Sequence, residues 1–453
     1  MHSTAIDEEK AMSQDANDGP EQDPADLFRK LFGFNFQMPG SDDELAKMLQ
    51  MLQQQFEEFA RVSQAPVGES GINWSLTKTT AKQMTAALGA DPSISSVEQR
   101  DIADASRLAD SWLDAVTEFP ALGQPAVGVS RTEWVEATMH AWQQIVEPIV
   151  ASLANELGNL MPGEDVNDQL LTMLQPMLRS AAGSMYSAQL AQTIAKLASE
   201  VLTGSEIGVQ LLAQPKVTVL PTNIAAATAG LGLNADDILL FLVVRETARQ
   251  RLFASVGWLA PQILTLIEHY AREIEIDSSA LTEAVQPQDL EAMDLDRIIE
   301  MGNELQGKLF SPTQTTTQLG ILERLEVLLA LVEGWVDVVA TAAVEPWLTA
   351  SSAKLNEFVR RRRVADNPAN QALETLVGMR ISPRRIRDAQ NLWAAVTEAR
   401  SPAGREEVWQ HPDLMPTAAD LDDVMGFAAG DEPTAHEDEM DIELRRLLED
   451  SGE

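Results

Sequence analysis

Ile238–Phe253 reads ILLFLVVRETARQRLF, an apolar run that turns abruptly charged. Ile238–Val244 is continuously apolar, which predicts a helix buried on every side. Arg245, Glu246 and Arg249 then interrupt it. Positions 245 and 249 lie one turn apart on the same face. Further along, Leu328–Val339 reads LLALVEGWVDVV, again apolar and again broken at i and i+4, by Glu333 and Asp337. A lone charge is costly to bury. The two segments are therefore expected to pair, two cations from one helix face against two anions from the other, with Glu246 alongside.

Helical periodicity extends outward from these segments. It predicts helices over 74–89, 96–118, 131–160, 166–203, 222–231, 234–252, 256–274, 278–285, 294–308, 318–348, 350–364, 369–378 and 382–399. A further helix is expected over Ser41–Ala60, opened by the capping-box pair Ser41 and Glu44. Lys216–Leu220 (KVTVL), ended by Pro221, is the best short strand. Alternating βαβ patterning is missing, so the fold class is mainly α, with little or no β. Residues 28–427 read as one helical body, and 27–38 (LFRKLFGFNFQM) as an apolar docking segment. Residues 1–27 and 428–453 read as disordered acidic tails, the second containing a short amphipathic stretch, Asp441–Leu448 (DIELRRLL).

Net charge is −37, of which residues 1–26 and 428–453 contribute −15. That balance repels nucleic acid and anionic lipid. There is no cysteine, so disulfides, thiolate nucleophiles and thiolate-held metals are excluded. The acidic N-terminus lacks the basic start and apolar run of a signal peptide. Glu333 and Asp337 interrupt the longest apolar stretch, so no membrane span is expected, and the cytoplasm is the expected location. His140 with Glu136, and His269 with Glu273, stand at i, i+4, but such pairs are more often polar helix faces than metal sites. His411, before Pro412, reads as a turn residue. Arg360–Arg363, Arg380, Arg384, Arg385 and Arg387 form a basic cluster. With little aromatic interleaving in an acidic chain, internal pairing is the favoured reading over an anion site. Trp134, Trp142, Trp258, Trp335 and Trp393 fall in apolar patterns and are expected in the core.

Several blocks in one order resemble the actinobacterial zincin-like metallopeptidase type 2 family. They include Arg131–Pro148 (RTEWVEATMHAWQQIVEP), Gln189–Val201 (QLAQTIAKLASEV), Arg245–Leu259 (RETARQRLFASVGWL) and Ala330–Val336 (ALVEGWV). Arg360–Arg363, Pro383–Trp393 (PRRIRDAQNLW) and His411–Leu421 (HPDLMPTAADL) continue the series. The resemblance covers most of 28–427 and implies a zincin-like helical domain with zinc as cofactor. The zincin signature HExxH places two imidazoles one turn apart, with the Glu as general base. Here Arg245-Glu246-Thr247-Ala248-Arg249 stands at that motif. Glu333-Gly334-Trp335-Val336-Asp337 resembles the Glu-x-x-x-Asp pattern of a second helix. By that resemblance Glu246 takes the base position, Glu333 a ligand position and Asp337 the supporting position behind it.

Both histidine positions hold arginine. Arginine has no acceptor lone pair and stays protonated at any working pH. It cannot ligate zinc, so the sequence predicts no metal and no cofactor, and leaves Glu246 as a vestigial base. The expectation is a pseudoenzyme that binds a peptide or protein. The alternatives are an active hydrolase with a displaced metal site, and an acidic adaptor.

Overall fold

Side-chain caps start the helices where the sequence offers them. Ser95 and Glu98 close a reciprocal capping box, as do Thr315 and Gln318, while Asn73, Asn234 and Ser382 each accept a backbone N–H. The computed structural model describes residues 71–159, 186–274, 315–365 and 382–430, with positions 183, 370–372 and 374. All belong to one unit formed by 64–276 and 312–453.

The elements in order are α1 (Trp74–Ala87), α2 (Ser96–Leu113), β1 (Val127–Gly128), α3 (Arg131–Asn159), β2 (Thr218–Val219), α4 (Pro221–Thr228) and α5 (Ala235–Ser255). They continue with α6 (Leu259–Arg272), α7 (Thr316–Val344), α8 (Ser352–Ala365), α9 (Pro383–Glu407), α10 (Ala418–Asp422) and α11 (Val424–Ala429). Residues 186–200 are also helical. The fold is mainly α, as the periodicity implies. The expected helices 278–285, 294–308 and Ser41–Ala60, the segment 27–38, the N-terminal acidic tail and residues 431–453 of the C-terminal one lie outside the described residues. α11 runs to Ala429, past the expected start of that second tail at 428.

The small β element falls at KVTVL. Val127 pairs with Thr218 and Gly128 with Val219, in parallel, and Thr203 bridges Val219 from the other side. The α9 helix runs past the expected 399 to Glu407, because helical hydrogen bonding resumes beyond a kink at Ser401 and Pro402. Ser401 carries φ 66° and ψ 171°, forced extended in ψ by the proline that follows.

α7 packs against α9, α5, α6 and α2, and α5 packs against α2. Phe241–Phe253 of α5 and Val327–Asp337 of α7 are buried without a break. By length and composition α7 could cross a membrane, but 83% of its most apolar window is buried inside the fold. Gly334 lets α7 and α9 approach: a Cβ there would lie 2.7 Å from the carbonyl carbon of Ala389 and 2.7 Å from the nitrogen of Gln390. Trp134, Trp142, Trp335 and Trp393 are fully buried. Trp258 is only half-buried and lines a groove of about 450 Å³ with Leu266, Val327, Leu331 and Met415.

Candidate functional site

Helical spacing puts Arg245 and Arg249 on the face of α5 turned to α7, where Glu333 and Asp337 are likewise one turn apart. Arg249 donates to Glu333 from Nε at 3.0 Å and from Nη2 at 2.8 Å, and from Nη1 to Oε2 of Glu246 at 2.6 Å. Arg245 Nη2 lies 2.7 Å from Asp337 Oδ1 and 3.8 Å from Glu333 Oε2. A third guanidinium enters from α8. Arg363 donates to Asp337 at 2.6 and 2.9 Å and to Glu333 Oε2 at 2.7 Å. Three guanidinium groups thus meet three carboxylates, and Arg245, Glu246, Arg249, Glu333 and Asp337 are all buried.

The second oxygen of Glu246 is held too. Its Oε1 accepts from the backbone N–H of Ser205 at 3.1 Å and from Gln250 Nε2 at 2.9 Å. Gln250 also donates to Ser205 Oγ and accepts from the backbone of Lys216. The 203–208 loop is fixed over this face by the β element, with Gly204 N–H donating to Thr218 and the Trp134 indole donating to the Gly204 carbonyl. Gly208 passes close to Glu333 at φ +80°, a conformation that favours glycine.

Burial works against the charges of Asp337, Glu333 and the three arginines, and for all of these but Arg245 the partners outweigh it. For Asp337, burial is opposed by Arg363 and Arg245, which hold its carboxyl below the usual range. Burial of Glu333 is outweighed by Arg249, Arg363 and Arg245, so its pKa is also lowered. Arg249 and Arg363 are raised despite burial, Arg249 by Glu333 and Glu246, Arg363 by Asp337 and Glu333. Arg245 differs from the other two arginines: its pKa is lowered, burial prevailing over Asp337 and Glu333 with Arg363 and Arg249 adding repulsion. Deprotonating an arginine remains far outside working pH.

The residues present do not fit a zinc ion. Both positions that would supply imidazole lone pairs supply guanidinium donors, and each carboxylate is already engaged by arginine. Among the described residues, no group of three or more His, Cys, Asp or Glu is disposed to hold a metal. Nor does the Glu246 carboxylate face solvent where a water could be activated, since it is fully buried and both of its oxygens accept hydrogen bonds.

A family model described as zincin-like metallopeptidase matches residues 72–428. The chain belongs to that family. A crystal structure from Chloroflexus aurantiacus, of a candidate hydrolase with a novel fold, is similar to this zincin-like chain with a TM-score of 0.56 at 16% identity. The match covers 80% of this chain and 100% of that one, and at such identity the likeness concerns the fold alone. No curated protein matches.

Elsewhere in the zincin-like chain, His140, His269 and His411 are exposed, and Glu136 is paired with Lys78 and Lys82 rather than with His140. His411 Nδ1 accepts from the Asp413 N–H in the turn before α10. Within the basic cluster, Arg360 and Arg361 pair with Glu357, Arg362 with Glu206 and Arg385 with Asp422. Arg380 lies outside the described residues. Sequence reasoning misses Arg363 because nothing in the run Arg360–Arg363 distinguishes it. Spacing offers a weak signal: positions 359 and 363 share a helix face, and only Val359 marks that face as apolar. Two further buried arginines also escape it. Arg251 reaches Asp110, Asp114 and the Phe119 carbonyl. Arg405 reaches Glu406 and the Val116 carbonyl.

Proposed function

We propose that this chain is a zincin-like pseudoenzyme, without zinc-dependent peptidase activity, that acts by binding a peptide or protein. The observation that carries the reading is the bonding of Arg249, whose guanidinium occupies Glu333 and Glu246 together. The ligand position and the base position are thereby held by one cation. Charge supports it as well. With histidines at 245 and 249, the three carboxylates and Arg363 would be neutralised by a dication; with arginines there, two positive side chains supply the same charge.

Hydrolysis would require a polarised water beside a free carboxylate. Glu246 offers no free oxygen and is fully buried, and only the Arg363 edge of the cluster is partly open to solvent. A partner therefore meets this chain on its outer surface rather than at the arginine cluster.

The test is the metal content of the full-length protein by elemental mass spectrometry, with a peptidase assay run with and without chelator. Less than about a tenth of an equivalent of zinc and no chelator-sensitive cleavage are expected. Near one equivalent of zinc, lost in Glu333→Gln, would overturn the reading.

A further inference from the structure

The surface of α2 carries an apolar feature that the core does not use. Trp112 and Trp347 stack with ring centroids 5.5 Å apart and planes 3° from parallel. Trp347 is 63% exposed and Leu108 is 49% exposed. Leu108 lies one turn before Trp112, and Asp104 one turn before Leu108, with Asp101 a further turn back. Asp101, Asp104, Leu108 and Trp112 therefore form a single strip along α2, ending at the indole pair. Both aspartates are exposed.

The charge around this strip is acidic on balance. Residues 98–118 hold six acids against Arg100 and Arg107, and Arg251 pairs with two of the six, Asp110 and Asp114. Arg107 pairs with Asp104, but both side chains are more than half exposed, and such pairs contribute little. Glu345, two residues before Trp347, is exposed as well. Parallel indoles present an electron-rich face that attracts guanidinium and ammonium groups. Large aromatics at the centre of a patch, rimmed by charge, are the usual anchors of a protein interface. A polyanion is repelled here, and a second copy of a chain with net charge −37 is disfavoured.

We propose that the Trp112–Trp347 pair, with Leu108 and the carboxylates Asp101 and Asp104, docks an arginine- and leucine-bearing segment of another protein. This rests on the reading of the chain as a binding protein. An arginine of the segment lies over the exposed Trp347 ring, a leucine packs on Leu108, and a second cation faces Asp101 and Asp104. The groove beside Trp258 carries both Glu323 and Arg324 and selects neither sign.

The experiment uses the full-length chain and a fluorescein-labelled synthetic peptide of repeating Arg-Leu-Leu-Arg, read by anisotropy. Trp347→Ser changes no charge and removes an exposed side chain. It is expected to weaken binding by about tenfold with the far-ultraviolet circular dichroism unchanged. Leu108→Ser is expected to act in the same direction, and Asp101→Asn with Asp104→Asn to reduce the salt dependence. Equal affinity for wild type and Trp347→Ser would overturn the proposal, because the peptide would then be held by overall charge alone. So would sedimentation showing a wild-type dimer that Trp347→Ser dissociates. Metal content is untouched by these variants, so failure of the docking surface is separable from failure of the zinc-free reading.

Discussion

Arg249 and Glu333, 84 positions apart, meet in a two-pronged hydrogen bond of 3.0 and 2.8 Å that ties α5 to α7. Removing either partner unbalances the buried charges. Without Arg249, Glu246 loses the guanidinium 2.6 Å away and Glu333 keeps only Arg363 at close range; without Glu333, Arg249 keeps only Glu246. Arg249→Ala and Glu333→Ala are each expected to cost about 3–5 kcal/mol. The double variant is expected to lose clearly less than their sum, by about 1 kcal/mol or more. Urea unfolding of the four proteins measures the difference, and strict additivity would show that the pair does not act as a unit.

Restoring both histidines tests the charge replacement directly. In Arg245→His with Arg249→His, three carboxylates face only Arg363, and the metal-free protein is expected to unfold at lower temperature than wild type. Added zinc is expected to raise that temperature in the double variant and leave wild type unmoved. Scanning calorimetry with and without chelator reads both. A zinc response of equal size in wild type would contradict the arrangement described.

Acid should weaken the cluster through its carboxylates. Asp337 and Glu333 are held below their unfolded values. Groups depressed in this way contribute stability that is complete above the unfolded pKa of about 4 and is lost as pH falls through the folded value. Stability is thus expected to be flat from neutral pH down to about pH 4–5 and to fall below it. Asp337→Asn should be less stable at pH 7 and show a shallower loss below about pH 4, measured by denaturant midpoints across that range. An identical acid slope in wild type and variant would remove Asp337 from the account.

Gly334 sits between Glu333 and Trp335 where α7 meets the backbone of α9. A methyl group there would lie 2.7–2.8 Å from Ala389 and Gln390. Gly334→Ala is expected to lose about 1–3 kcal/mol, even though alanine favours a helix more than glycine does. An increase in the unfolding midpoint would show that α9 can move aside.

Ser401 predicts the opposite sign. Its φ of 66° with ψ of 171° suits glycine and strains any residue with a Cβ. Ser401→Gly is expected to stabilise by about 1 kcal/mol, offset partly by the greater freedom of glycine in the unfolded chain. Thermal unfolding of this one variant decides the sign.

Periodicity made the helical fold legible, and the apolar runs around residues 238–253 and 328–339 singled out the two helices that bury most completely. The pairing across them was legible for the same reason, since charges at i and i+4 in an apolar helix need partners. Arg363 was not, because Arg360–Arg363 is one run and only packing of α8 selects which member turns inward. The 203–208 loop was equally silent. Ser205 reaches Glu246 through its backbone N–H, a group every non-proline residue carries. Gly208 beside Glu333 gave the weak hint that glycine gives anywhere. Trp258 is expected in the core from its apolar surroundings, yet it borders a groove, because hydrophobicity alone does not separate a packed indole from one that lines an opening.

The order of α7 and α9 along the chain has a consequence for synthesis. α7 passes for a membrane span by length and composition, and it is hidden by helices on several sides. α5 and α6 precede it, but α9, which lies against it closely enough to require Gly334, is made later. For the interval between them the growing polypeptide carries a hydrophobic helix with one flank uncovered. Glu333 and Asp337, already matched to Arg245 and Arg249 on the earlier α5, give that helix a reason to turn inward before its last neighbour arrives.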